Sequence, residues 1–277
     1  MQEDKLHGCK CRNCGIELIT LNKSSDTYCR FCGAPALMAE DFEGTAVPEL
    51  ILPFEISKSQ AMQIFLRHLS QRPLCAAALF QKVKSGFIRE VYIPVKVADI
   101  QVTTELTVLD NSCNEKTTQI KSESSGANIC QSRMFDEYLF RLLGEYDFSR
   151  AVAYDDTHAS IPFEKPSVSS MELCFDELEG ASIKEALESL GDRKTIRKVI
   201  SCQPIDKKEN SKTVLVPVWI LSNPRNGYTE QIFINGQNGR IFGEPPASIM
   251  KALAIFGGIA AGCTVIGELI WMAVNNL

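Results

Sequence analysis

The sequence lacks the short motifs that mark the common nucleotide-dependent and hydrolytic enzymes. Its 277 residues contain no Gly-Lys dipeptide, and therefore no P-loop that could cradle a nucleotide phosphate. They contain neither a Gly-x-Ser-x-Gly elbow nor a His-Glu-x-x-His helix. The three histidines, His7, His68 and His158, are isolated, and nothing in the sequence marks a Cys–His pair. The sequence therefore predicts a protein that is not an enzyme.

A positive net charge is also lacking. Lys and Arg number 29 against 34 Asp and Glu, which gives a formal net charge of −5. No global basic field attracts nucleic acid or anionic lipid. Residues 1–40 carry five basic and five acidic residues, whereas a ribbon that binds nucleic acid would more often be basic. We therefore do not predict nucleic acid as a partner.

The first 30 residues lack the apolar core and small-residue cleavage site of a signal peptide. Cysteine, in contrast, is abundant: of eleven, five lie within the first 32 residues. Paired Cys-x-x-Cys knuckles are typical of metal sites, whereas a disulfide scaffold would be short, secreted and more evenly studded with cysteines. We expect the N-terminal part to occupy a reducing cytosol.

Two knuckles, Cys11-x-x-Cys14-Gly15 and Cys29-x-x-Cys32-Gly33, are separated by 14 residues. Zn²⁺ prefers four ligands in a tetrahedron, and a two-residue gap presents two thiolates from one tight turn. The spacing predicts a structural Zn²⁺ held by Cys11, Cys14, Cys29 and Cys32, with no open position for catalysis. A redox dithiol is the alternative, and Cys9 is a competitor for the place of Cys11.

Residues 252–274 form an apolar run with a single charge, Glu268. Its 23 residues suffice to cross a hydrocarbon core of about 30 Å at about 1.5 Å per residue. Lys251 precedes the run and no basic residue follows it, so the positive-inside rule places the preceding domains in the cytoplasm. We predict a single-pass protein of the bacterial cytoplasmic membrane.

Small residues recur every fourth position in this run, at Ala254, Gly258 and Gly262. Such a stripe permits close helix packing, and we expect the Gly258/Gly262 face to allow a homo-oligomer. Glu268 is costly at membrane depth, which leaves it either partly solvated or paired within an oligomer.

The intervening sequence predicts an α+β fold. Ser57 and Gln60 form a capping box before a helix, and further helices are expected from Met134 and from Ser182. Strands are predicted at 86–109, 195–205 and 212–222, with a hairpin that turns at 235–239. We divide the chain into a zinc ribbon at 1–40, a linker at 41–48, a mixed α/β soluble domain at 49–247, and a transmembrane helix with a short tail at 248–277.

Two apolar segments of the soluble domain resemble each other, the one at 91–97 and the one at 214–220. Each contains a proline, Pro94 or Pro217, which predicts a sheet edge or a bulge. Chance similarity between strands is the interpretation we favour, and two related lobes are the alternative.

Several motifs resemble a family of bacterial, mostly Gram-positive, membrane proteins with a zinc ribbon. They are the Cys-x-x-Cys-Gly knuckles, Leu52-Pro-Phe-Glu-Ile-Ser-Lys58, Val91-Tyr-Ile-Pro-Val95, Tyr146-Asp-Phe-Ser-Arg-Ala-Val152, Val216-Pro-Val-Trp219, and the hairpin 234–246 before the apolar run. Members are often labelled TFIIB-type zinc ribbon-containing or replication-restart helicase-like. The resemblance implies the architecture and no established activity, and a helicase motor would need the phosphate loop that this chain lacks.

We expect a membrane-anchored adaptor or scaffold that binds a protein partner, with the hairpin 235–239 and the strand 91–97 as candidate partner surfaces. One alternative is a membrane-tethered nucleic-acid-binding or transcription-related protein, which a basic patch of Arg193, Lys194, Arg197 and Lys198 would favour. The other is a thiol-dependent enzyme or sensor that uses one of the scattered cysteines, which are Cys75, Cys113, Cys130, Cys174 and Cys202.

Overall fold

A computed structural model describes residues 7–20, 28–35, 37–40, 48–72, 74–84, 87–155, 161–167, 196–225, 228–245 and 247–275, with the helical residues Phe175, Gly180, Ile183 and Lys184. The helix predicted from Ser182 lies mostly outside the described residues. So do Arg193 and Lys194 of the basic patch, Cys174 and His158.

The fold is the predicted mixed α+β class. Its strands are β1 His7–Cys11, β2 Glu17–Thr20, β3 Leu37–Glu40, β4 Leu50–Ile51, β5 Arg89–Asp110, β6 Glu115–Cys130, β7 Val152–Ala153, β8 Phe163–Glu164, β9 Ile196–Arg225, β10 Tyr228–Asn235 and β11 Ile241–Phe242. Its helices are α1 Lys58–Ser70, α2 Ala77–Lys84, α3 Glu137–Leu142 and α4 Ile249–Asn275, with a 3₁₀ turn at Phe148–Arg150. The main path of the sheet runs β11-β10-β9-β5-β8-β2-β1-β3.

Long antiparallel strands form the centre of the sheet. β5 has 22 residues, and β9 has 30 and pairs with β5 from end to end. The strands predicted at 195–205 and 212–222 are therefore one strand, in which Pro204 lies at a shift of register opposite Thr104. The polar segment after residue 110 returns as β6 and pairs with β5, since its alternating Thr and Ser residues suit a half-exposed strand.

The prediction that Pro94 and Pro217 lie at sheet edges or bulges is wrong, because both lie in the central pair of strands. Each proline lies at the gap where its strand changes partner on one side. Beside β5, the partner changes from β8 to β6 at Pro94. Beside β9, it changes from β4 to β10 at Pro217. The carbonyl of Pro94 accepts from Gln131 N at 2.9 Å and that of Pro217 from Gly236 N at 2.8 Å, both on the side of the gap. The missing N–H of each proline faces that gap, so no ladder hydrogen bond is lost.

The two similar segments around these prolines pair with each other. Their register is centred on Ile93 opposite Val216, and each proline faces the residue two positions before the other proline. That the two segments belong to two related lobes stays a prediction. The structure shows that the two similar segments are neighbouring strands.

The two faces of the central sheet carry different layers. On one face α1 and α2 pack over Trp219, Leu221 and Ile234. The capping box of α1 is present as predicted, since Ser57 accepts from Gln60 N and the Gln60 side chain accepts from Ser57 N. On the opposite face, α3 and both cysteine knuckles pack over alternate residues of β5 and β9, among them Val91 and Val216.

The N-terminal ribbon shares a sheet and a core with the rest of the body. β1 lies between β2 and β3, and β2 pairs with β8, which pairs with β5. The apolar residues Ile16, Leu18 and Phe31 belong to the same buried cluster as Val216 and Phe233. Of the predicted linker 41–48, only Pro48 lies among the described residues.

The C-terminal helix α4 contains the predicted span 252–274. Its 27 residues have a mean hydropathy of 1.9 in the most apolar window, and none of that window is buried. Within the described residues it is the one helix long and apolar enough to cross a membrane. It is tied to the folded body at its start, where Ser248 N donates to Leu74 O at 2.7 Å and Lys251 Nζ donates to Cys75 O at 2.8 Å.

Candidate metal centre

The two knuckles have the same backbone geometry. In the first, Cys11 N donates to Ile16 O at 3.0 Å and Gly15 N donates to Cys11 O at 2.8 Å. In the second, Cys29 N donates to Ala34 O and Gly33 N to Cys29 O, both at 2.8 Å. Gly15 and Gly33 have φ values of 77° and 82°, in the left-handed region that glycine adopts without strain. The glycine after each cysteine pair is thus what closes each turn.

The four predicted ligands meet at one point. The sulfur atoms of Cys11, Cys14, Cys29 and Cys32 all lie within 4.8 Å of one another. Cys11 Sγ is 3.6 Å from Cys32 Sγ, and Cys14 Sγ is 3.8 Å from Cys29 Sγ. A tetrahedron with metal–sulfur bonds of about 2.3 Å has edges of about 3.8 Å, so a four-coordinate ion fits the site.

The sulfur cluster is electrostatically prepared for a cation. The pKa of the Cys32 thiol is lowered because the thiols of Cys14 and Cys29 hydrogen-bond to it, and the pKa of Cys14 is raised by its contacts with Cys29 and Cys32. Asn13 Nδ2 lies 3.5 Å from Cys32 Sγ and also favours a thiolate there. A bound cation would replace the shared protons and hold all four sulfurs as thiolates.

Arg89, at the start of β5, lies against the second knuckle. Its Nη1 donates to Cys29 O at 2.6 Å, whereas its Nε and Nη2 atoms are buried without a hydrogen-bond partner. A Cβ at Gly33 would lie 2.5 Å from Arg89 Nη2, so only glycine admits the guanidinium here. Burial lowers the pKa of Arg89, and the charges of Cys29 and Cys32 oppose that shift.

Phe31, one of the two residues between the cysteines of the second knuckle, attaches the cysteine cluster to the sheet. The ring of Phe31 is buried and lies 6.0 Å from Phe135 and 6.3 Å from Phe233, centroid to centroid. Its carbonyl oxygen accepts from the Ser222 hydroxyl and, at 3.0 Å, from Gln231 Nε2. The knuckle is therefore fixed by strands that lie about 190 to 200 residues later in the chain.

A buried carboxylate supports the same face of the sheet. Glu164, on β8 opposite Leu18 of the ribbon, is 1% exposed. It accepts from the Ser132 hydroxyl and from Arg133 N at 2.8 Å, and so holds the turn that leads into α3. Burial raises its pKa to about 7, although these hydrogen bonds act in the opposite direction.

Among the described residues, no further cysteine joins the cluster. Cys9 packs against the same core, but it is not among the sulfurs that converge. His68, at the boundary of α1, contacts Gly243 O at 2.9 Å and lies beside Arg72, so its described contacts are not with a cysteine. Burial raises the pKa of Cys75 and raises that of Cys130 to about 12, which disfavours the reactive thiolate at both.

The two predicted partner surfaces differ in how far the structure buries them. The prediction that the strand at 91–97 is a partner surface is wrong, because Val91, Ile93 and Val95 are buried at the centre of the sheet. In the hairpin at 235–239, three amide side chains bind neighbouring backbone: Asn235 Nδ2 donates to Leu143 O, Gln237 Nε2 to Asp147 O, and Asn238 Nδ2 to Glu145 O. Much of the hairpin thus serves internal packing.

An open groove of about 920 Å³ lies beside that hairpin. It is lined by Phe140, Tyr146 and Phe148 on its apolar side and by Arg141 and Arg240 on its polar side, with Asn128, Asn238, Gly126, Gly144, Gly239 and Glu145 completing the wall. Sequence reasoning did not place a groove here, since it is built from α3 and a hairpin about 90 residues apart.

Comparison with known proteins yields one distant similarity. No protein-family model matches the sequence, and no solved structure matches the fold. The chain is 27% identical over 253 residues to a Bacillus subtilis (strain 168) protein named Uncharacterized protein YdjG, an alignment that covers 82% of this chain and 72% of that protein. The chain is thus a distant homologue of a bacterial protein, with a four-cysteine cluster that fits a metal ion.

Proposed function

We propose that the protein is a membrane-anchored zinc-ribbon adaptor, which binds a protein partner at the cytoplasmic face of a bacterial membrane and catalyses no reaction. The observation that carries this proposal is α4, whose apolar length is unburied while its first residues are bound to the folded body. A body held in this way presents the surfaces of its sheet at a fixed place on the membrane.

The ion is Zn²⁺ in this proposal, because four thiolates at tetrahedral spacing are the donor set of structural zinc sites. The bound ion would supply cross-linking of the two knuckles and no chemistry. Support comes from the burial of three of the four ligands and from Phe31, which joins one knuckle to the core. The zinc centre then stabilises the platform on which the partner binds.

The groove beside α3 is the partner surface that we propose. It combines the half-buried ring of Phe148, which lies beside the buried rings of Phe140 and Tyr146, with two exposed arginines. Aromatic residues and arginine dominate binding energy at protein interfaces. Arg141 is 68% exposed at this rim, and its ion pair with Glu137 on the same helix contributes little to stability. An acidic segment of a partner would complement the arginines.

Affinity capture of the full-length protein from gently solubilised native membranes tests the proposal. Proteins and nucleic acids that co-purify are both identified, and the zinc content per protein chain is measured. We expect one protein partner in stoichiometric amount together with one zinc ion per chain. The Arg141→Glu variant should lose the partner, whereas Lys121→Glu, at another exposed site on β6, should keep it.

Recovery of nucleic acid without a protein partner would overturn the adaptor in favour of the tethered nucleic-acid binder. Equal capture by both variants would retain the adaptor and remove the groove as its binding site. In the same preparation, cross-linking would report whether the Gly258/Gly262 face of α4 supports the homo-oligomer that we also propose.

A further inference from the structure

The helical layer over the sheet contains a segment without acidic residues. From Ile56 to Ile88 the chain has no Asp or Glu, although acidic residues outnumber basic ones in the whole sequence. The basic residues of this segment are Lys58, Arg67, Arg72, Lys82 and Lys84. The α1–α2 pair therefore carries a net positive charge, although the net charge of the whole chain is −5.

The loop between these two helices is where α4 begins. Cys75 forms a β-bridge with Ala247, Leu74 O accepts from Ser248 N, and Cys75 O accepts from Lys251 Nζ at 2.8 Å. Because the apolar helix starts at Ile249, a membrane that α4 crosses has its surface level with this loop. The contacts between this loop and the start of α4 thus hold α1 and α2, which have no acidic residues, beside the lipid headgroups.

The side chains around the loop suit a membrane surface. Arg67 is exposed in the last turn of α1, the half-buried Arg72 follows it, and the half-buried Lys251 lies in the first turn of α4. Leu74 is 36% exposed between them, which offers an apolar side chain at the same level. Glu244 acts electrostatically on His68 in the last turn of α1, and its single negative charge is outnumbered by the positive charges of Arg67, Arg72 and Lys251.

We infer that the α1–α2 loop binds anionic lipid headgroups, with Arg67 and Arg72 as the phosphate-contacting side chains, Lys251 adding its positive charge from its place beside Cys75, and Leu74 inserted among the headgroups. A basic residue near an anionic leaflet favours the bound state about fivefold, and the effect falls off within a Debye length of about 10 Å. The inference rests on the proposed membrane anchor. It assigns the orientation of the body, with the α1–α2 side towards the bilayer and the zinc knuckles on the opposite face of the sheet.

Amide hydrogen exchange of the full-length protein in lipid nanodiscs tests this inference. One set of discs contains phosphatidylcholine alone, and the other contains about a third phosphatidylglycerol. We expect peptides that span residues 66–78 to exchange severalfold more slowly in the anionic discs, and 0.5 M NaCl to remove the difference because salt screens exposed charges. Peptides of the β5–β6 hairpin should exchange equally in both.

Variants separate charge from folding. Arg67→Gln with Arg72→Gln should abolish the lipid-dependent protection, since two cations together contribute about 25-fold. Arg67→Lys with Arg72→Lys should retain it, which shows that a loss in the glutamine variant is not misfolding. Lys121→Gln with Lys208→Gln, two exposed lysines on the long strands, should leave it unchanged.

Equal exchange in the two kinds of disc would overturn the inference while leaving the anchor intact. Failure of the protein to enter either disc would overturn the anchor itself, so the two failures are distinguishable. Protection of the same peptides by a single-stranded oligonucleotide, but not by anionic lipid, would assign the cations to nucleic acid instead.

Discussion

Arg89 Nη1 donates to the carbonyl oxygen of Cys29 at 2.6 Å, which places a buried cation directly behind the sulfur cluster. Four thiolates and one divalent ion carry a net charge of −2, and the guanidinium offsets half of it where water is excluded. Two of its nitrogen atoms have no hydrogen-bond partner, so the charge is retained there by the attraction to Cys29 and Cys32 and by the ring of Phe87, whose centroid lies 4.5 Å from the guanidinium carbon.

Replacement of Arg89 by Met should therefore weaken metal binding by about tenfold to a hundredfold, as is typical for residues that support metal ligands from behind. Competition of the purified protein against a chromophoric zinc chelator measures this affinity. Arg141→Met, an exposed arginine far from the cluster, serves as control and should bind zinc as the wild type does. An unchanged affinity in Arg89→Met would contradict the role of its charge.

Removal of the metal should loosen the central sheet as well as the ribbon. Phe31 is held between the two cysteines of the second knuckle and packs on Phe233 of β10, so release of the knuckle removes a core ring. After chelation we expect amides of β9 and β10 to exchange at least about tenfold faster, which corresponds to about 1.4 kcal/mol. If only peptides of residues 7–40 respond, the ribbon is energetically independent.

Glu164 should make stability fall as the pH rises. Its pKa is about 7 in the folded protein against an ordinary value of 4.5, so between these values the folded state binds the extra proton and stability decreases towards pH 7. Glu164→Gln removes this penalty. The free energy of unfolding of the variant relative to the wild type should increase by about 3 kcal/mol from pH 5 to pH 8, measured by urea unfolding in micelles.

A difference that is constant over this range would show that Glu164 is ionised throughout. Because both proteins carry the same cysteine cluster, any acid release of the metal cancels in the comparison.

Cys113 offers a native reporter of topology. It lies exposed at the turn between β5 and β6 with a φ of 61°, away from the core. If the body is cytoplasmic, a membrane-impermeant maleimide should label it only after protoplasts are permeabilised. Cys113→Ser should lose most of that label, because Cys113 and Cys263 are the exposed cysteines of the described residues and Cys263 lies within the apolar helix. Labelling of intact protoplasts would reverse the proposed orientation.

Local patterns were sufficient to predict the four-cysteine cluster, the capping box of α1 and the apolar helix. Each depends on residues within about 25 positions of one another: knuckle spacing, the Ser57–Gln60 pair, and a continuous apolar run. The four-cysteine cluster and the helix are confirmed. Their physical causes are local turn geometry and hydropathy, which a single sequence displays.

Long-range pairing was not predictable in the same way. The support of Cys29 by Arg89 and of Phe31 by Ser222 depends on the order of strands, for which one sequence gives no signal. The same cause explains the error over Pro94 and Pro217: a proline is excluded from a central strand only where a partner needs its N–H, and here the partners change at that residue.

The distance along the chain between Phe31 and Gln231 sets an order of events during synthesis. The ribosome completes the knuckles about 200 residues before the strands that receive them, which at about 5 to 20 residues per second is an interval of about 10 to 40 s. Over that interval the nascent chain has all four thiols but lacks the parts of β9 and β10 that hold Phe31 through Ser222 and Gln231. A metal ion that binds the cluster would therefore have access to all four thiols before these strands close over the second knuckle and before α4 emerges.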